Sequence, residues 1–146
     1  MGDYAVNIGT TGLDVPYQLG KDGPWIYPNG AFEAEHGLRY QDFTDGLSNT
    51  LMVGEKHVPA GLAGQSPWDC GIYDGHNWLC NMRGAGPLMP LASSAQDTEW
   101  KFGSAHTGIC QFVFADGSVK SLANSIDPVV LGRLAQRNDG LGIPEY

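Results

Sequence analysis

The sequence predicts an α+β fold in which an antiparallel sheet dominates, long loops surround it and a short helix follows near the C-terminus. Three observations carry that expectation. Glycine and proline occur 21 and 9 times in 146 residues, so regular elements must be short, which favours sheet and loop over long helix. Residues 109–122 alternate apolar and polar side chains around an Asp116-Gly117 pair, the pattern of a β-hairpin. The stretch IDPVVLGRLAQRNDG carries both the start and the stop signals of a helix. At this length, residues 1–146 make one domain around one core.

Taken in chain order, DYAVNIG reads as a short strand with Tyr4, Val6 and Ile8 on one face, ended by the turn-forming GTTG. Residues 13–37 hold Pro16, Gly20, Gly23, Pro24, Pro28 and Gly30, which leaves room only for a long aromatic-bearing loop. Thr44-Asp45-Gly46 makes a turn, after which residues 50–53 run as a strand; the short side chains of Asp45, Ser48 and Asn49 suit backbone hydrogen bonds in that turn. Residues 57–99 again lack a sustained period, and loops of that length are functional or hide short strands. In the hairpin, a two-residue turn at Asp116-Gly117 would pair Ala115 with Ser118 and Phe114 with Val119. Val119 would then join Cys110, Phe112 and Phe114 on the core face, with Lys120 opposite. The helix has Asp127 as N-cap and Pro128 at its first position, turns Val130, Leu131 and Leu134 to one side, and stops at Asn138-Asp139-Gly140. Gly132 inside it would let the helix pack closely on the hairpin.

Composition narrows the function classes. Sixteen acids against 8 bases give a net charge of -8, which repels phosphate backbones and argues against nucleic-acid partners. No apolar run reaches the roughly 20 residues of a membrane span. Two readings of the three cysteines stand side by side: a Cys70–Cys80 disulfide in an oxidising compartment with Cys110 as a buried thiol, or three free thiols.

Several residues bear chemistry. Ser104, His106 and Asp116 have the side chains of a hydrolase triad, but a hairpin strand of roughly 20 Å separates the aspartate at the tip from the histidine at the base. Ser104, His106 and Gly108 read instead as a tight turn whose imidazole bonds a backbone carbonyl. Asp45, Asn49 and Glu55, with Asp42 nearby, offer the oxygen ligands that calcium takes; the competing reading needs no cofactor and pairs Glu55 with an arginine such as Arg39 or Arg83. His36, His57 and His76 lie in loops without metal-ligand spacing. Trp25, Tyr27, Trp68, Tyr73, Trp78 and Trp100 stand in polar Gly/Pro-rich text, where flat rings either contact a sugar or peptide or pin the loops as small satellite cores.

Four segments in this order, DYAVNIGTTG, DFTDGLSNTLMVGEK, FGSAHTGICQFVFADGSVKSL and IDPVVLGRLAQRNDG, resemble the C-terminal globular part of a planctomycete-type family of prepilin-like bacterial proteins of unknown function, also described as solute-binding-like. Full-length members of that family are similar to type IV pilins and type II secretion pseudopilins, with a cleavage segment and a long hydrophobic N-terminal helix. Asp45, Gly46, Ser48, Asn49, Thr50, Gly54 and Glu55 match its first motif, and His106, Gly108, Asp116, Gly117, Ser118 and Val119 its second. Where the family often has two glycines, this chain has Gly108-Ile109. The hydrophobic helix is absent here, so the resemblance implies that anchoring and filament assembly are not properties of this stretch alone. It further implies a pilin-like head domain, extracellular or at the cell surface, that associates with itself or with other pilin-like surface proteins and is not an enzyme. The alternative is an extracellular glycan- or peptide-binding module, with a concave site lined by at least two of Trp25, Trp68 and Trp78.

Overall fold

A computed structural model of the chain describes residues 2–71, 73 and 77–146. Among these, seven strands and one helix follow the order β1 (Tyr4–Asn7), β2 (Tyr17–Gln18), β3 (Trp25–Ile26), β4 (Leu51–Glu55), β5 (Met82–Arg83), β6 (Ile109–Phe114), β7 (Val119–Ala123) and α1 (Pro128–Ala135). Five strands form one sheet in the order β5-β1-β4-β6-β7, and β2-β3 make a separate two-stranded ribbon. The sheet-dominated α+β fold is therefore present, with one refinement. The pairs β1–β4, β4–β6 and β6–β7 are antiparallel, but β5 runs parallel to β1. β5 and the β2-β3 ribbon come from text that reads as loop: two residues make a strand only when a neighbour supplies the ladder, and no local pattern announces them.

The core lies between the sheet and α1. Leu51, Cys110, Phe112, Phe114 and Leu122 meet Leu131, Leu134 and Ala135 there, with Phe102 edge-on to Phe112 at 5.2 Å. Gly54 makes this possible, because a Cβ at that position would collide with the rings of Phe112 and Phe102. Asp127 caps α1 through Val129 N–H at 2.7 Å, with Pro128 following at the first helical position. Gly132 does permit close packing, but against Gly86, Pro87 and Thr10 rather than the hairpin: an added Cβ would lie 3.2 Å from Pro87 Cδ and 3.4 Å from Gly86 Cα.

In the hairpin one expectation about facing is reversed, and β1 turns an asparagine inward. In β1 the buried side chains are Ala5 and Asn7, whereas Tyr4 is exposed and Val6 half-buried. Asn7 sits in the core because every polar atom of its amide is used. Its Nδ2 donates to Leu51 O and Ala135 O, each at 2.8 Å, and its Oδ1 accepts from Gly9 N–H at 2.8 Å.

In the hairpin, Val113 pairs with Val119 and Phe112 with Lys120, one residue away from the two-residue turn. The loop has three residues, 115–117: Gly117 N–H bonds Phe114 O, Phe114 N–H bonds Ser118 O, and Gly117 takes φ +84. Val119 consequently faces outward. Lys120 faces inward at the rim of the core, its ammonium 4.1 Å from the Phe114 ring centre.

Replacing Asn7 with leucine keeps the volume but strands two carbonyls and one N–H in the core. Asn7→Leu is expected to destabilise the fold by about 3 kcal/mol, read as a lower urea midpoint at unchanged slope. A loss under about 0.5 kcal/mol, the level of ordinary surface changes, would contradict this account.

Candidate functional site

The two motif segments meet at both ends of β4. At its start, the turn of residues 45–50 wraps the hairpin tip: Asp116 N–H bonds Leu47 O and Ala115 N–H bonds Thr50 O. Lys120 Nζ reaches Ser48 O at 3.0 Å. The turn holds itself through Asn49 Nδ2 to Asp45 O (2.9 Å) and Thr50 Oγ1 to Gly46 O (3.1 Å), with Gly46 at φ +99. Asp45 uses its carboxylate on the N–H groups of Asp139 (2.6 Å) and Gly140 (2.9 Å), which fixes the chain reversal after α1. Asp116 accepts the hydroxyl of Ser118 at 2.6 Å and its N–H at 2.9 Å; these two bonds, the hydroxyl first, hold its carboxyl below the ordinary range. Asp45, Gly46, Ser48, Asn49, Asp116, Gly117 and Ser118 thus form one interlocked tip.

At the other end of β4 the partners are Glu55 and the turn leading into β6. Glu55 Oε2 accepts from Gln111 N–H at 2.6 Å, and Oε1 lies 3.1 Å from His106 Nε2. Ser104 Oγ donates to Ile109 O at 2.6 Å and accepts His106 N–H at 3.0 Å, so the tight turn is present. Its imidazole, however, bonds a carboxylate and not a backbone carbonyl, and Glu55 pairs with His106 and with neither Arg39 nor Arg83. Cys110 lies behind this pair; burial, with the nearby Glu55 charge, pushes its thiol up to about 12. The thiol is therefore protonated and unreactive at neutral pH.

This pair forms one corner of an open cleft of 780 Å³ between the start of β1, the end of β4, residues 92–95 and residues 103–106. The opposite wall is braced by His57, whose Nε2 meets Asp97 O at 2.7 Å, and by Lys101, which bonds the carboxylates of Asp97 (3.0 Å) and Glu99 (2.7 Å). Burial tends to raise the Asp97 pKa, but the Lys101 hydrogen bond, the Glu99 N–H and the charges of Lys101 and His57 outweigh it and hold the carboxyl below its ordinary range. Beneath the floor, the buried Lys56 Nζ donates to Cys80 O at 3.1 Å, and burial followed by the Arg83 charge lowers its pKa. A second cavity of 620 Å³, lined by apolar side chains such as Phe32, Leu38, Phe43 and Met52, opens on the loop before β4.

Other candidate residues lie apart from the cleft. Asp45, Asn49 and Glu55 are not gathered into a calcium set, since Asp45 and Glu55 serve opposite ends of β4; among the described residues no group of three or more His, Cys, Asp or Glu side chains is arranged to hold a metal ion. His36 lines the apolar cavity, His57 the cleft wall, and His76 lies outside the described residues. Trp68 stacks on Trp100 at 5.0 Å, and Arg83 sits 5.4 Å over the Trp100 ring. Trp25, Tyr27, Tyr73 and Trp78 are exposed, and none of the five candidate rings lines either cavity. Cys70 and Cys80 form a disulfide with Cα atoms 5.2 Å apart, leaving Cys110 buried and free. The cleft residues Tyr4, Ser93 and Ser94 carry no sequence signal; only the H-x-G and G-E motifs pointed to this corner.

Because Asp97 has a lower pKa folded than unfolded, its stabilising contribution is complete above the unfolded value of about 4 and is lost as pH falls through the folded value. Asp97→Asn is expected to lower the urea midpoint at pH 7 and to flatten its decline between about pH 5 and pH 3. Parallel midpoint curves for the two proteins would show that Asp97 does not brace the wall electrostatically.

Comparison with known proteins agrees with the motif resemblance at the level of the family. Residues 5–129 match the family model SBP_bac_10, described as "Protein of unknown function (DUF1559)". No curated protein and no solved structure matches the chain. The matched span runs from β1 into the first turn of α1 and takes in both motifs and the five-stranded sheet except Tyr4. The chain belongs to the family described as protein of unknown function (DUF1559).

Proposed function

We propose that this domain is a non-enzymatic, pilin-like head that works outside the cytoplasm, at the cell surface, in assembly with copies of itself or with other surface proteins. The observation that carries the proposal is the β2-β3 ribbon. Tyr17 pairs with Ile26 and Gln18 with Trp25, and Leu19 N–H closes on Pro24 O at 3.0 Å. Tyr17, Leu19, Trp25 and Tyr27 on this ribbon are between 49% and 62% exposed. A two-stranded ribbon is marginal by itself, and one that turns four large apolar side chains to water is suited to a partner surface.

Two further features support the reading. The polar atoms of the motifs are spent on internal bonds: Asp45 on the reversal after α1, Asp116 on Ser118, and the Ser104 hydroxyl proton on Ile109 O. A serine so engaged has no base to activate it. The Cys70–Cys80 disulfide fits an oxidising compartment, and the resemblance to prepilin-like heads points the same way.

Sedimentation velocity over a concentration series tests the ribbon. The wild-type protein is expected to self-associate, and the Trp25→Ser/Tyr27→Ser double variant to remain monomeric with an unchanged circular dichroism spectrum. Equal association of both proteins, or none by either, would remove the ribbon from the proposal. Thiol counting under non-reducing conditions tests the compartment. Protein isolated from its native cells should show no reactive thiol when folded, one after unfolding and three after reduction. Three thiols before reduction would place the domain in a reducing environment.

A further inference from the structure

The cleft at the Glu55–His106 corner has no part in that assembly reading, and its lining has a chemistry of its own. Glu55 is oriented by Gln111 N–H on one oxygen and by His106 on the other, so it is a fixed acceptor rather than a mobile charge. His106 is 59% exposed against 13% for Glu55, which places the imidazole at the mouth and the carboxylate deeper in. Ser93 and Ser94 present exposed hydroxyls on the facing wall, and neither hydroxyl has a hydrogen-bond partner among the described residues. Tyr4, 55% exposed, adds a phenol ring to the same cleft, one position before the strand turns Ala5 inward. The cleft therefore combines one aromatic ring, one aligned carboxylate–imidazole pair and free hydroxyls, in a volume typical of small-molecule sites.

Charge selects among ligand classes. An anion would face Glu55 and Asp3, while the Lys56 ammonium is buried and turned to Cys80 O and the imidazoles of His57 and His106 are already engaged by Asp97 O and Glu55. A metal cation would find Glu55 already hydrogen-bonded, and among the described residues Asp3, Glu55, His57 and His106 are not gathered into a set of three that could hold it. A neutral hydroxyl-rich molecule meets neither obstacle. Its hydroxyls can donate to Glu55 and accept from Ser93, Ser94 or His106, while the apolar face of its ring lies on Tyr4. We infer that this cleft is a saccharide-binding site, with Glu55 and His106 as the polar grip and Tyr4 as the stacking face. It is distinct from the exposed tryptophans, none of which lines it.

The test is backbone amide NMR of the folded protein titrated with cellotriose, maltotriose and tri-N-acetylchitotriose, with inorganic phosphate and a lysine-rich peptide as separate probes. At least one trisaccharide is expected to shift the amides of Glu55, Ser94, His106 and Gln111 at millimolar concentration. Tyr4→Ala, a change at an exposed ring, should weaken that binding about tenfold. Ala95→Arg, which puts a bulky group into the cleft from an exposed position, should abolish it, while Trp25→Ser leaves it unchanged. The inference is overturned by any of three results: trisaccharides that leave the cleft amides unmoved, shifts that survive both cleft variants, or shifts induced only by phosphate or the peptide.

Discussion

One buried amide sets the distance between the layers of this domain. Asn7 bridges β4 through Leu51 O and the end of α1 through Ala135 O, while Gly9 N–H closes on the same side chain. An amide in an apolar interior is tolerated only with its donors and acceptors filled, so the strand, the helix end and the turn after β1 must arrive together. The seam continues outward. Asn29 bonds Thr10 on one side and Gln136 on the other, and Arg137 bonds Gly30 O and Glu33. Through these contacts the long loop before β4 is stitched to the C-terminal reversal. The apolar core supplies the stability, and the amide seam decides which arrangement of that core is formed.

The family motifs take their meaning from the same frame. Their conspicuous polar residues look catalytic when read along the chain, yet Asp45 and Asp116 lock one end of β4 to the hairpin tip, while Glu55 locks the other end to the turn before β6. At the tip, the carboxylates of Asp45 and Asp116 are taken up by internal bonds and neither lines a cavity. At the base, the locking pair also borders an open cleft, so the residues that fix the sheet simultaneously present an oriented acceptor to solvent. The difference between the two ends is concavity.

Elements with strong local signals were legible in the sequence. The α1 cap, the alternation within β6 and a strand after the Thr44-Asp45-Gly46 turn rest on neighbouring residues and are present. What was not legible depends on partners distant in sequence. β5 has two residues and exists because β1 offers it a ladder; Asn7 faces inward because Leu51 and Ala135 receive it; His106 faces Glu55 because β6 lies beside β4. The hairpin register fell between these cases. Asp-Gly fits either a two- or a three-residue loop, and the bonds of Asp116 to Ser118 together with the grip of Leu47 O and Thr50 O select the longer one. Tyr4 and the serines of the cleft were invisible because exposed small or aromatic residues carry no pattern until the walls are assembled.

That three-residue loop has a bearing on how such a domain can vary over evolutionary time. Hairpin tips are ordinarily where chains accept insertions and deletions. Here a change of one residue would invert β7, sending Lys120 and Leu122 outward and Val119 and Ser121 toward the rings of Phe112 and Phe114, while tearing the tip from residues 47–50. A change of length would be met more easily in residues 13–37 and 57–99, which hold no long ladder register. Those stretches border the exposed ribbon and one wall of the cleft. The frame is bound by arithmetic, and the recognition surfaces around it are not.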